Sequence, residues 1–288
     1  MAMIIRGGTL ITMTQRGSYV GDVMIRSGRI LRVDERIEED EGAEVVLDAR
    51  GLYVMPAMVD ACIGTGEADP AWIREYAISC GITSGLIMPE EGGRYMLLDG
   101  GEIRESAFRW VGAGRMDAQE PLCAIERITS SGYRPVIAVT DEARLRRLLP
   151  HLECANPILT GSPCAACADE IGRAGASVVI GGCGEGEYFG AAANLLHAGV
   201  PTAISCRYPR MKLRLLPVLA GLYARSGMQH DDALAAITRI PAEILGMGDR
   251  GMIAPGYRAD LLIFDGDPLL LASVHLATII GGRVLRGA

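Results

Sequence analysis

The sequence predicts an α/β fold, a (β/α)8 TIM-like barrel flanked by β-rich chain ends. Three observations predict it. Through the middle of the chain, apolar runs of strand length alternate with helical segments, and strand–helix alternation with short loops calls for a parallel sheet. Both ends are instead β-rich. They read IIRGGTLITM, DVMIRSGRILRVD and EVVLDARGLYV at the start and DLLIFDG and LATIIGGRVL at the finish, broken by turns such as Arg26–Gly28 and Asp48–Gly51. Finally, 288 residues at 49% hydrophobic content can bury one large core.

Taken in order, residues 53–60 form the first predicted barrel strand. Further strands are predicted at 82–88 (ITSGLIM), 95–99 (YMLLD), 107–112 (AFRWVG), 135–139 (PVIAV), 157–160 (PILT), 177–181 (SVVIG) and 201–206 (PTAISC), which completes eight. DEARLRRLLPHL, CAACADEIGRAG, GAAANLLHAG and HDDALAAITRIPAEILG read as helices. The barrel is expected over 54–251, and the composite β-domain over 1–53 and 252–288. Aromatic residues make up only 5%, so aliphatic side chains must fill the interior.

A net charge of −7 argues against binding to nucleic acid or an anionic membrane, both of which reward a basic surface. The basic runs Arg144–Arg147 and Arg207–Arg214 are short and are expected on solvated helix faces. The opening MAMIIRGGTLITM lacks the pattern of a secretory leader, and no apolar run reaches the roughly 18–20 residues needed to span a bilayer. The expectation is a cytoplasmic protein whose eight cysteines are reduced.

Several motifs resemble the amidohydrolase superfamily, most closely its imidazolonepropionase-like branch. They are GGTLIT, GDVMIRSGRILRV and VLDARGLYVMPAMVDA near the start, and ALAAITRIPAEILGMGDRGMIAPGYRADLLIFDGDPL and IIGGRVL near the finish. Pro241–Ala242, Leu245–Gly246, Gly251, Pro255–Gly256, Ala259–Asp260 and Gly266–Pro268 fall in that family's order and spacing. The likeness is good over roughly the first 90 residues and over 190–288, and weak between them, and it implies a (β/α)8 TIM-like barrel with a small β-sandwich built from both termini.

The resemblance implies one or two divalent metals at the C-terminal ends of the barrel strands, activating water to attack a C–N bond. It also implies where the ligands should stand, and this chain departs from that pattern. The paired histidines of the first strand are replaced by Cys62 and Gly64, after a retained Pro56 and Asp60. Val139 or Asp141 stands where a later histidine belongs, Thr160 where the next does, and Cys206 or Arg207 where an aspartate should bind. The four histidines, His151, His197, His230 and His275, all lie away from predicted strand ends. Asp60 is expected to support the first strand and its turn.

The mouth is therefore expected to contain Asp141, Thr160, Glu185 and Arg207 as binding residues, with no catalytic set. Arg207 in place of a carboxylate would favour an anion, or would pair with Asp141 across the mouth. Glu185 lies in the glycine-rich GGCGEGEYFG, which follows a strand without the lysine of a phosphate loop. No cofactor is expected, unless Cys62, Cys164, Cys167, Cys183 and Cys206 converge to bind zinc or another thiolate-bound metal.

The leading expectation is a non-catalytic binding or interaction homologue with an unknown small-molecule ligand, as a homodimer or beside an active paralogue. One alternative is an active hydrolase of a cyclic amide with a rebuilt cysteine site. Another is a thiol-redox protein using Cys164 and Cys167, their pKa lowered by a helix N-terminus.

Overall fold

The computed structural model describes residues 2–38, 45–88, 95–111, 119–152, 155–181 and 189–286. Strands β1 (Ala2–Ile11), β2 (Ser18–Arg26), β3 (Arg29–Asp34), β4 (Val45–Asp48) and β5 (Tyr53–Pro56) open the chain. Next come β6 (Met58–Gly64), helix α1 (Pro70–Ser79), β7 (Ile82–Met88), β8 (Met96–Asp99), β9 (Glu102–Glu105) and β10 (Phe108–Val111). The α/β middle continues with α2 (Gln119–Ser130), β11 (Arg134–Ala138), α3 (Glu142–Leu148), β12 (Ile158–Thr160), α4 (Ala168–Arg173), β13 (Ser177–Ile180), α5 (Ala191–His197) and β14 (Thr202–Ile204). Helices α6 (Leu216–Arg225), α7 (His230–Ala235) and α8 (Arg239–Ile244) lead into β15 (Leu261–Phe264), β16 (His275–Ile280) and β17 (Arg283–Arg286).

Strands from both chain ends join one eight-stranded sheet in the order β17-β16-β15-β5-β1-β2-β3, with β4 also on β1. All eight strands are joined by hydrogen bonds into this one sheet. Its continuity comes from β1, which pairs β4 through Met3–Arg6 and β5 through Thr9–Leu10. Ile5, Leu10, Val23, Val54, Leu261 and Ile263 share the core cluster of this sheet.

The stretch 53–60 divides into two strands at Ala57. Its amide donates to the Asp260 carbonyl (2.8 Å), so β5 stays with the terminal sheet while β6 turns into the barrel region. Strands β10 to β14 form a five-stranded parallel sheet, and β6 pairs parallel with β7. Residues 95–99 do not supply the eighth parallel strand. Gly100 and Gly101 both take left-handed backbone (φ 56° and 90°), a pair suited to a tight hairpin, and they fold β9 back on β8, antiparallel to β7.

Among the described residues the parallel strands are therefore seven, and the two sheets meet without a continuous ladder. The segment joining α7 and α8 stitches the seam instead. The carbonyl of Ile237 accepts from Val59 of β6 (2.9 Å), and that of Ala236 accepts from Ile204 of β14 (2.9 Å). This split in the long helix expected from His230 puts backbone acceptors where a further strand would lie. Val59, Leu86, Phe108, Val136, Ile158, Val179 and Ala203 come from the seven parallel strands and share one interior cluster. With Ile240 and Ile244 of α8 beside them, the interior is a packed core, not a pore.

Candidate functional site at the strand ends

Asp60 lies at the centre of the seam between β6 and β14, fully buried. Its Oδ1 accepts from the Cys62 amide (2.9 Å) and its Oδ2 from the Cys206 amide (3.2 Å). The Ser205 hydroxyl donates to the Cys62 carbonyl (3.0 Å) and accepts from the Arg207 amide (2.9 Å). Burial pushes the Asp60 carboxyl above its ordinary value, opposed by these hydrogen bonds and the nearby Arg207 charge.

Arg207 follows with a left-handed backbone (φ 48°), which for a non-glycine residue costs about 1–2 kcal/mol. From there its Nη2 lies 3.4 Å from the Thr160 Oγ1, across the mouth. The same guanidinium lies near the thiols of Cys62 and Cys164 and pulls their pKa values down, against the larger effect of burial. The result is one positive charge held among the ends of β6, β12 and β14.

The expected Asp141–Arg207 ion pair is not formed. The Asp141 carboxylate caps α3, accepting from the Arg144 amide (2.8 Å), because the first amides of a helix lack internal partners. The Thr160 hydroxyl and the Arg207 guanidinium do come together. Glu185 and Cys183 lie outside the described residues.

Burial governs the described strand-end cysteines. Burial holds the Cys62 thiol at about 11 and the Cys164 thiol at about 12. The Cys167 thiol is raised as well. Cys164 and Cys167 lie in a 3₁₀ turn, Ser162–Cys167, and the expected lowering by a helix N-terminus does not occur. The Cys62 thiol rests 3.7 Å from the Met88 sulfur, and that of Cys206 lies 3.9 Å from the Leu213 carbonyl. Among the described residues, no group of three or more His, Cys, Asp or Glu side chains is placed to hold a metal ion.

Gly64 makes the mismatch sharper. A Cβ built on it would collide with the Tyr208 carbonyl oxygen, so the chain after β14 occupies the space a second first-strand ligand would need. A Cβ on Gly181 would likewise collide with the Ser205 carbonyl, and one on Gly161 with that of Val139. Three strand ends thus approach neighbouring backbone too closely for side chains. The described residues do not fit the divalent metal implied by the family resemblance.

Sequence reasoning missed Ser205, Tyr208 and Tyr95. Tyr95 is 5% exposed beside Cys62, and burial raises its phenol pKa. Ser205 could have been noticed from its place before Cys206 and Arg207, but a backbone carbonyl such as that of Tyr208 leaves no residue-type signal.

The terminal sheet and the parallel strands with their helices form a mixed α/β scaffold. An amidohydrolase family model matches residues 209–286. An adenine deaminase of Deinococcus radiodurans is 24% identical over 357 aligned positions, covering 99% of this chain and 62% of that protein. An imidazolonepropionase of Ruegeria sp. is 60% identical over 35 residues, 12% of this chain and 9% of that protein. The chain therefore spans less than two-thirds of the length of these curated relatives. An amidohydrolase structure from Thermotoga maritima superposes with TM-score 0.85 at 20% identity, covering 99% of this chain and 100% of that one. Residues 209–286 thus match the amidohydrolase family, and the whole chain shares the fold of an amidohydrolase structure. Among the described residues, no helix is long and apolar enough to cross a membrane.

Proposed function

We propose that this protein is a non-catalytic binding or interaction homologue of the metal-dependent C–N hydrolases, its mouth built around the Arg207 guanidinium in place of a metal. The observation that carries this reading is Gly64, where the Tyr208 carbonyl fills the space a ligand side chain would need. Further support comes from the described residues, among which no three His, Cys, Asp or Glu side chains are grouped to hold a metal ion. On this reading the mouth takes a small anionic molecule between Arg207 and Thr160, and Asp60 holds the seam beneath. The protein works in the cytoplasm, as a homodimer or beside an active paralogue, away from nucleic acid and membranes. Residues 1–53 and 252–288 act as one composite domain and 54–251 as the other.

Elemental analysis of protein purified anaerobically, with an assay on a cyclic imide such as hydantoin, tests the proposal. The expected result is far less than one divalent ion per chain and hydrolysis no faster than buffer, even after incubation with zinc. About one tightly held ion per chain together with turnover would overturn it.

A further inference from the structure

A second cleft lies away from the mouth. Met58, the first residue of β6, is in its wall, whereas Gly64 at the other end of β6 marks the mouth, about 20 Å further along the strand. The cleft has a volume of about 410 Å³ and forms where the end of α1, the start of α6 and the loop between β15 and β16 converge. Small-molecule sites run from roughly 300 to 1,000 Å³ and combine apolar walls with a few polar groups.

The walls are apolar: Met58, Val218, Phe264, Leu270, Leu271 and Val274. Leu270, Leu271 and Val274 are 59%, 79% and 54% exposed, so this loop presents a run of large apolar side chains to solvent. The polar groups are gathered on one side. Arg214 lines the cleft, and no acidic residue does, so its guanidinium has no carboxylate partner there. Beside it, the Tyr76 hydroxyl is buried with no well-aligned hydrogen bond, and the Arg214 guanidinium stands within hydrogen-bonding reach of it. Arg214 lies close enough to that phenol to pull its pKa down, against the burial that raises it. The Ser79 hydroxyl, also in the lining, donates to the Tyr76 carbonyl (2.8 Å) and can still accept.

A buried hydroxyl without a well-aligned partner is uncommon in a folded protein, and an unneutralised guanidinium beside it marks the place where an anionic oxygen would complete both groups. We propose that this cleft binds an amphipathic carboxylate. The carboxylate sits on Arg214 and the Tyr76 hydroxyl, and an aliphatic chain lies along Leu270, Leu271 and Phe264. The site is independent of the mouth and of whether the barrel is catalytic.

The test is calorimetric titration of the whole protein with octanoate and, in parallel, with uncharged 1-octanol. Octanoate is expected to bind saturably, one per chain, at least about ten-fold tighter than octanol, the margin of a charge-assisted pair. Arg214→Gln is expected to erase that difference. Tyr76→Phe should weaken octanoate several-fold and leave octanol unchanged. Leu271→Asp should weaken both, octanoate more, through like charge and a lost apolar wall. Arg214 and Leu271 are exposed, so these two variants keep the fold, which circular dichroism checks. The proposal is overturned if octanoate gives no saturable heat, if octanol binds as tightly, or if Arg214→Gln retains full affinity.

Discussion

A carboxylate removed from water needs donors around it, and Asp60 finds two of them in the amides of Cys62 and Cys206, far apart in sequence. Asp60→Asn turns one acceptor oxygen into a donor and leaves a buried amide without a partner, so a loss of about 1–3 kcal/mol is expected in urea denaturation. The pH dependence follows from the raised carboxyl pKa. Because burial favours the protonated form, this group's contribution to stability is full at low pH and is lost as pH rises through its folded value. The advantage of wild type over Asp60→Asn is therefore expected to shrink with rising pH. An advantage that grew would contradict the burial argument. The thiols offer a second check. Cys62 at about 11, two units above the ordinary 9.0, implies about 100-fold less thiolate near pH 8. Native alkylation followed by peptide mass mapping should label the exposed Cys123 and spare Cys62 and Cys164. Asp60 and Cys62 were both legible as strand-end residues, but their partners were not, because hydrogen bonds across a seam leave no trace in local spacing.

At the scale of elements, apolar runs and their periods did most of the work. β7 occupies the predicted 82–88, and β11 to β14 lie within a residue or two of their predicted runs. The run at 95–99 misled because a short apolar stretch reads alike in parallel and antiparallel sheets. The Asp99–Gly100–Gly101 turn after it was the available signal for a hairpin. The helix expected from His230 splits at Ala236–Thr238, where strand amides claim the Ala236 and Ile237 carbonyls, a tertiary demand that helix propensity does not register. Asp141 gives the prediction at this scale. As the N-cap of α3, its change to Ala should cost about 1 kcal/mol in thermal or chemical denaturation, and Asp141→Ser should recover most of it. An ion-pair role would instead leave Ser as damaging as Ala.

For the whole molecule, the β8–β9 hairpin is held to the chain near the terminal sheet by Arg250. This side chain, 9% exposed, pairs with Asp99 and Asp249 and donates to the Ser84 hydroxyl (3.1 Å). Breaking a buried ion pair typically costs about 3–5 kcal/mol. Arg104 remains 3.2 Å from Asp99, so Arg250→Ala should cost less, about 2 kcal/mol, with a coupling to Asp99→Ala resolved in a double-mutant cycle. Independent single-mutant losses would show the clamp to be incidental. Strand periods, turn glycines and caps depend only on neighbouring residues, and they were enough to predict the α/β middle and the β-rich ends. How many strands run parallel depends on which segments meet after hundreds of other contacts form. So do the filling of the space at Gly64 by the Tyr208 carbonyl, the reach of Arg207 to Thr160 and the cleft joining Met58, Tyr76, Arg214 and His275. Register and close approach are properties of the closed molecule, and no stretch of chain encodes them alone.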